Sequence, residues 1–342
     1  MNLIDKLQIY LITYNRKNYL QRTFEQILAE DSPIKNFDIT VLDNASTDGS
    51  SELIEEYRKK FPNIKHIKHK INIGGNANIC RAFEMGASSG KEYVWVLCDD
   101  DLYDFSNWKE VEQKVEAKDD IICLCDYVFD NKKSINNAQK IFQLTFVPAG
   151  IYRTELITDD LLINMYDCII TMFQQCCLAI SCINENKNIS ILSKPIVFNG
   201  IFYEKEVEKE NISYTRGCSQ EWNLERKLNT SWLLGFIQVL SLLKNKNIKK
   251  RAISNVIQSK YLHKKRNAFY YELFFLLNFQ KFNYFYEIYK SISFLEKLTF
   301  IVYIPSFIRR QIVSIYIREH GIYLYLFRTL TFKLIPFREK KD

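Results

Sequence analysis

Tyr93-Val94-Trp95-Val96-Leu97-Cys98-Asp99-Asp100-Asp101-Leu102 joins an apolar run to three consecutive acids. An uninterrupted apolar run of this length reads as a strand buried on both faces, the pattern of a parallel sheet. In such sheets ligands bind beyond the carboxyl ends of the strands, where this triplet falls. Three adjacent carboxylates repel one another, so keeping them ionised calls for a cation or a set of donors. A divalent cation answers that need, since Mg²⁺ or Mn²⁺ commonly takes one or two carboxylates together with the phosphates of a substrate. The competing reading is helix capping or plain solvation, for which Asp104 and Ser106 are better placed.

Outward from this stretch the first 130 residues alternate between two periodicities. Residues 7–12, 37–42 and 64–67 are short apolar runs, and residues 121–128 read as a fifth strand after the one at 93–97. Between them, helical spacing runs over 19–29 (Leu20, Phe24, Ile27, Leu28), after the polar stretch 44–51, and over 75–85; Ser106 caps a helix through Val111 and Val115. Strand and helix in alternation imply right-handed crossovers and an α/β fold, a mainly parallel sheet flanked by helices. Further on, 159–183 reads as mostly helical, 189–198 with Pro195 as an edge-type strand, and the chain beyond Gln220 as helical almost to its end.

The ends of the other strands are polar. Thr13-Tyr14-Asn15-Arg16 follows the first, Asp43-Asn44-Ala45-Ser46-Thr47-Asp48-Gly49 the second, and Asn72-Ile73-Gly74-Gly75-Asn76 the third, where it opens a helix. Singly, each is compatible with an ordinary polar turn. Asp43 has the chemistry to accept hydrogen bonds from a base or ribose, and a Gly pair before a helix lets backbone N–H groups approach a phosphate or sugar. All four segments lie along one edge of the sheet, which points to a nucleotide site.

The order T-Y-N-R, V-L-D-N-A-S-T-D-G-S, N-I-G-G-N and W-V-L-C-D-D-D-L resembles the inverting family-2 glycosyltransferases of GT-A (Rossmann-like) fold, over roughly residues 7–130. Within them it is similar to bacterial enzymes that build O-antigen, capsule or related surface glycans, abequosyltransferase-like members above all. The resemblance implies that Thr13, Tyr14 and Asp43, with Asn15, Arg16 and Asn44 beside them, meet the nucleotide and that Asn72, Gly74 and Gly75 line the donor pocket. It further implies that Asp99 approaches the ribose and that Asp100, with Asp101, holds the metal on the diphosphate. Cys98 stands where many relatives carry the first acid of a D-x-D motif, which shifts the weight to Asp100.

The implied chemistry is a single displacement at the anomeric carbon, with a carboxylate taking the acceptor's proton and Mn²⁺ or Mg²⁺ stabilising the leaving nucleotide diphosphate. The family places its base as an acidic pair at a helix start. The corresponding residues here, Phe173-Gln174-Gln175-Cys176-Cys177, contain no acid. Asp167 upstream, near the expected helix start, is the candidate base, against the alternative of a carboxylate that favours a helix N-terminus; Glu185 lies downstream. His66 and His69 read as a solvated strand end rather than as ligands. The nine cysteines, odd in number and without a C-x-x-C pair, read as reduced core residues of a cytosolic protein.

Charge divides the 342-residue chain. Residues 231–342 hold 20 Lys/Arg against 6 Asp/Glu and 24 of the 49 aromatics, whereas the first 230 residues carry a net negative charge. We therefore expect a catalytic domain over 1–228 and a basic, aromatic-rich helical region over 229–342. Lys and Arg mixed with Phe269, Tyr270, Tyr271, Phe274 and Phe275 suit an anionic membrane surface, with a helical bundle packed on the catalytic domain as the alternative. No nucleic-acid signature accompanies the charge. The opening residues show no secretory signal and no segment is long enough to cross a bilayer, so the expected location is cytoplasmic, peripheral on the inner face of the membrane. The expected partners are a nucleotide-sugar donor and a glycan or lipid-linked oligosaccharide acceptor. Two other classes stay open: a nucleotidyltransferase, disfavoured because T-Y-N-R is no Gly-rich loop, and a catalytically inactive nucleotide-sugar-binding or scaffold protein.

Overall fold

The structure, a computed structural model, describes residues 2–125, 136–200 and 232–257. A short helix α1 (Leu3–Lys6) leads into β1 (Leu7–Thr13), α2 (Lys17–Ile27), β2 (Ile39–Asp43), α3 (Ser50–Lys60), β3 (Ile64–Lys68), α4 (Gly75–Ala87) and β4 (Tyr93–Cys98). Then follow β5 (Leu102–Tyr103), α5 (Trp108–Glu116), β6 (Ile121–Cys123), α6 (Asn137–Gln143), β7 (Gly150–Arg153), α7 (Asp159–Asp167), α8 (Cys176–Asn184), β8 (Ile189–Ile191) and β9 (Val197–Phe198). Two helices, α9 (Trp232–Leu240) and α10 (Lys246–Ile257), complete the described elements.

Seven strands form one sheet in the order β3-β2-β1-β4-β7-β6-β8, with β1 to β4 mutually parallel and β7 inserted antiparallel between β4 and β6. The expected mainly parallel sheet flanked by helices is thus what the chain adopts. β1 and β4 are the central strands, and their apolar residues are buried on both faces, Leu7, Ile9, Leu11, Tyr93, Trp95 and Leu97 among them. Trp95 satisfies its indole N–H on the Pro148 carbonyl at 2.9 Å, and Tyr93 its hydroxyl on Asp119 at 3.0 Å, so both bury large rings with no polar loss. On one side Phe24 of α2 stacks on Tyr57 of α3, with ring centroids 4.5 Å apart.

Several elements differ from the sequence expectation for physical reasons. The turn into α5 is capped by Asp104, whose carboxylate accepts from the Ser106 N–H at 2.9 Å; Ser106 is the capped residue. The helical stretch 159–183 is two helices, because the chain turns through a 3₁₀ segment (Ile169–Thr171) and Met172 sits in the left-handed region at φ 66°. The edge strand 189–198 is split. β8 pairs with β6 at the sheet edge, residues 192–196 leave the ladder around Pro195, and β9 forms a separate two-stranded sheet with β5. Only residues 121–123 of the expected fifth strand are paired, and 126–128 lie outside the described residues.

Residues 1–252 form one compact unit; the second, 253–342, falls outside the described residues except for 253–257. The expected division after residue 228 also lies among residues outside that set. Helix α9 packs within the first unit: Phe236 meets Phe173 and Phe142, and a Cβ on Gly235 would stand 2.1 Å from the Thr171 carbonyl oxygen. No helix among the described residues is long and apolar enough to cross a membrane. The basic, aromatic stretch from 258 onward lies outside them.

Candidate functional site

All four polar segments meet at the carboxyl edge of the sheet, because β1, β2, β3 and β4 run in register and end together: Thr13 stands opposite Asp43, Asp43 opposite Lys68, and Ile12 opposite Cys98. At the end of β4, Thr13 donates its hydroxyl to Asp99 Oδ2 at 2.6 Å, while Arg16 Nη1 donates to Asp99 Oδ1 at 3.1 Å and to Asp100 Oδ2 at 2.6 Å. A single guanidinium thus bridges two neighbouring carboxylates. Burial is the first influence on Asp99 and raises its pKa to about 6, with the Asp100 charge adding to the rise and Arg16 and Thr13 opposing it. Arg16 in turn has its pKa raised, chiefly by Asp99.

The backbone of the triplet is held by a face of α2 that sequence periodicity did not single out. Thr23 donates to the Asp99 carbonyl at 2.9 Å, Arg22 to that of Asp100 at 3.1 Å and Gln26 to that of Asp101 at 3.4 Å. Four residues separate Arg22 from Gln26, one helical turn, so both point at the same turn of the β4 loop. That spacing was the available signal; a Thr fully buried within the helix was the second. From the other side Gly200 closes over the triplet. A Cβ there would sit 2.0 Å from the Asp100 carbonyl oxygen, so only glycine fits.

Of the two expected metal ligands, the fold brings only Asp100 toward the sheet edge, its side chain 16% exposed and already facing the cationic Arg16. Asp101 is buried and turned toward the Gly200 N–H at 3.4 Å, with burial pushing its carboxyl well above the usual range. Its second oxygen has no hydrogen-bond partner among the described residues. No group of three or more His, Cys, Asp or Glu residues suited to a metal ion occurs among those residues either. The donor set therefore fits a hard cation held by Asp100 and by a ligand's own oxygens, and does not fit a cage made by the protein alone.

At the end of β2 the carboxylate of Asp43 is fully buried. Its Oδ1 accepts from the Ser46 N–H at 2.7 Å, and its Oδ2 accepts from the Ser51 hydroxyl at 2.5 Å and faces His66 Nε2 at 3.5 Å. Burial alone would raise this pKa, but His66, Ser46 and Ser51 together hold it well below the usual carboxylate range. His66, expected at a solvated strand end, instead lies between two acids, its Nδ1 2.7 Å from Glu55 Oε1. Burial works to lower its pKa, yet Asp43 and Glu55 prevail and raise it. The carboxylate expected to meet a base thus builds the turn that follows β2.

The remaining loop residues knit the strand ends together. Asn15, left-handed at φ 50°, accepts from the Thr47 N–H at 2.7 Å and donates its own N–H to Ser46 Oγ at 3.0 Å. Asp48 binds the N–H of Ser50 at the start of α3 and that of Lys17 at the start of α2. Asn44 donates to Asn72 at 2.7 Å and accepts from the Ile73 N–H, while Asn72 also accepts from the Gly74 N–H. Gly74 takes φ 87° and ψ 151°, a conformation reserved for glycine, and around Gly75 a Cβ would meet nothing within 4 Å. The N-terminus of α4 therefore faces open space at the sheet edge. Tyr14 is half-buried beside it in sequence, between Thr13 and Asn15.

Asp167 is exposed and is the last residue of α7, not near a helix start, so a favourable interaction with a helix N-terminus does not account for it. Two residues on, the Ile169 carbonyl accepts from Asn76 at 2.8 Å, which puts this corner against the start of α4. Gln174 and Gln175 are fully buried; Glu185 pairs with Lys187 and Ser181 at the far end of α8. Eight of the cysteines are free, and all of these except Cys98 are buried, as expected for reduced core residues.

Comparison with known proteins agrees with this geometry. The abequosyltransferase RfbV of Salmonella typhimurium is 29% identical over 116 residues, 33% of each chain. The poly(ribitol-phosphate) β-N-acetylglucosaminyltransferase TarS of Staphylococcus aureus is 24% identical over 169 residues, 45% of this chain and 29% of that one. The matches span about a third of the length of these curated relatives. The crystal structure of S. aureus TarS 1–349 in complex with UDP superposes with a TM-score of 0.51 at 16% identity, covering 98% of this chain and 94% of that one, and shares its GT-A fold. The sequence profile of Glycosyl transferase family 2 matches residues 8–181, more than half of the 342, and with the strand-end constellation in place the chain belongs to that family.

Proposed function

We propose that this chain transfers a sugar, with inversion, from a nucleotide-diphosphate donor to a glycan acceptor, lipid-linked, in the assembly of bacterial surface polysaccharide. The observation that carries the reading is the Thr13, Arg16, Asp99 and Asp100 network at the edge where α4 also opens. The two solved TarS 1–349 complexes hold UDP and UDP-GlcNAc, which makes UDP the first probe.

In this reading Tyr14 and the 43–48 turn border the nucleoside. Asp43 acts by fixing that turn. The N–H groups at the start of α4 approach phosphate or sugar oxygens, helped by the positive end of the helix. Asp99, oriented by Thr13 and Arg16, meets the ribose. Asp100 would hold a divalent cation, Mn²⁺ or Mg²⁺, which when bound neutralises charge developing on the leaving diphosphate. Arg16 exchanges its Asp100 contact for the donor's phosphates when that carboxylate is engaged. Asp167 takes the proton of the attacking acceptor hydroxyl. The basic, aromatic residues beyond 258 keep the chain on an anionic membrane surface near its acceptor.

Calorimetry with UDP and Mn²⁺, alongside turnover with a nucleotide-sugar panel, tests this. Asp100→Asn is expected to lower turnover by about 10²-fold or more, and Asp167→Asn to abolish turnover while UDP still binds. Unchanged turnover in Asp100→Asn would end the reading of metal-assisted transfer. A second reading, an inactive nucleotide-sugar-binding protein, is favoured by the absence of any carboxylate in residues 173–177 and by Cys98. UDP binding without turnover on any donor would select it.

A further inference from the structure

A pair of buried thiols closes the corner that carries Asp167. Cys168 ends α7 and Cys177 lies in the first turn of α8, 6% and 2% exposed. Their side chains hydrogen-bond to each other. Both also converge on one carbonyl: Asn164 O accepts from the Cys168 N–H at 3.1 Å and lies 3.8 Å from Cys177 Sγ. Cys176 points elsewhere, its Sγ 3.5 Å from the Leu144 carbonyl, and Cys80 reaches the Met165 carbonyl at 3.8 Å.

Between the two thiols the chain makes the 3₁₀ turn and the left-handed Met172. This corner grips the N-terminus of α4 twice, by the bond from Asn76 to the Ile169 carbonyl at 2.8 Å and by one from Gln174 to the Asn76 carbonyl at 3.4 Å. Gln174 and Gln175 each leave the side-chain oxygen without a hydrogen-bond partner among the described residues. The corner is therefore held by few bonds, and a covalent tie across its base would change how it holds α4.

We propose that Cys168 and Cys177 are an oxidation-sensitive pair, joined by hydroperoxides into a reversible disulfide that fixes the 168–177 corner against the start of α4. The Cys168 thiolate attacks one peroxide oxygen, the O–O bond breaks, and the hydroxide released leaves as water after taking a proton. The Cys177 sulfur then attacks the sulfenic sulfur, the S–O bond breaks, and the Cys177 proton leaves with the hydroxyl as a second water. Two thiols and one peroxide thus give one disulfide and two waters. The hydrogen bond from Cys177 draws the Cys168 thiol below its ordinary range, which favours Cys168 as the attacking sulfur.

The test uses the full chain, reduced and then treated with stoichiometric hydrogen peroxide. Intact mass is expected to fall by two hydrogen atoms, two thiols to become resistant to alkylation after denaturation, and dithiothreitol to restore both. Cys168→Ser and Cys177→Ser should each lose the effect and Cys176→Ser keep it. A gain of oxygen mass without the cross-link, or a cross-link that survives in Cys168→Ser, overturns the proposal. The effect on α4 rests on the proposed donor site and is read by UDP affinity, expected to differ roughly fivefold between the two forms. Equal affinity in both forms overturns the coupling. If neither form binds UDP, the donor-site reading fails, and the mass result still decides the disulfide.

Discussion

The carboxyl ends of β2 and β4 each present a buried aspartate on the same sheet edge, and the two could hardly be used more differently. Around Asp43 every acceptor is met by donors from its own loop and from a histidine, so the group is satisfied and its pKa falls. At β4 three carboxyl groups share one guanidinium; burial raises Asp99 and Asp101, and one Asp101 oxygen stays without a hydrogen bond among the described residues. A satisfied carboxylate organises a turn. An under-compensated set is poised to take a further cation or donor, which is why the β4 end is the reactive part of the edge.

Arg16→Ala should break the comparison most severely, since it leaves buried Asp99 without its cation. We expect a loss of about 3 kcal/mol in urea unfolding, toward the lower end for a broken buried pair because Arg16 is partly exposed. A loss below about 0.5 kcal/mol would mean the triplet needs no counter-charge. Asp43→Asn is expected to cost about 2 kcal/mol, because an amide cannot accept at both positions, and to leave His66 with Glu55 alone. If instead it is neutral in stability and removes UDP binding, Asp43 belongs to the nucleotide site and the contrast with Asp100 dissolves. Gly200→Ala forces backbone away from Asp100 and should cost about 1–2 kcal/mol, seen as a lower thermal midpoint; an unchanged midpoint would show that residue 200 does not hold the triplet.

His66 gives the smallest and most specific effect. Its folded pKa lies above the unfolded value of about 6.5, so its contribution is complete below that pH and is lost as pH rises through the higher folded value. Wild-type stability should therefore drop by about 1 kcal/mol from pH 6 upward relative to His66→Gln, which has no such slope. Parallel pH profiles of the two proteins would show that the imidazole is not held charged between Asp43 and Glu55.

Much of the fold was legible because strands β1 to β4 and their helices have clean apolar periods, and parallel strands that end together must place their following loops on one edge. The candidate site was legible to the same extent and no further. Asp167 was misjudged in position because helix breaks depend on one residue, Met172, adopting a conformation that its side chain does not announce. His66 was misjudged because its partners, Asp43 on β2 and Glu55 on α3, lie 23 and 11 positions away in sequence.

By itself, the order of apolar runs, helical stretches and polar strand ends determined an α/β sheet with four polar loops on a shared edge. Only the tertiary structure decided which carboxylates are satisfied and which are not. The physical reason is range: periodicity is a local property of the chain, whereas the fate of a buried charge depends on which donor the packing brings within 3 Å, and Arg16, Thr13 and Thr23 reach Asp99 from 76 to 86 residues away.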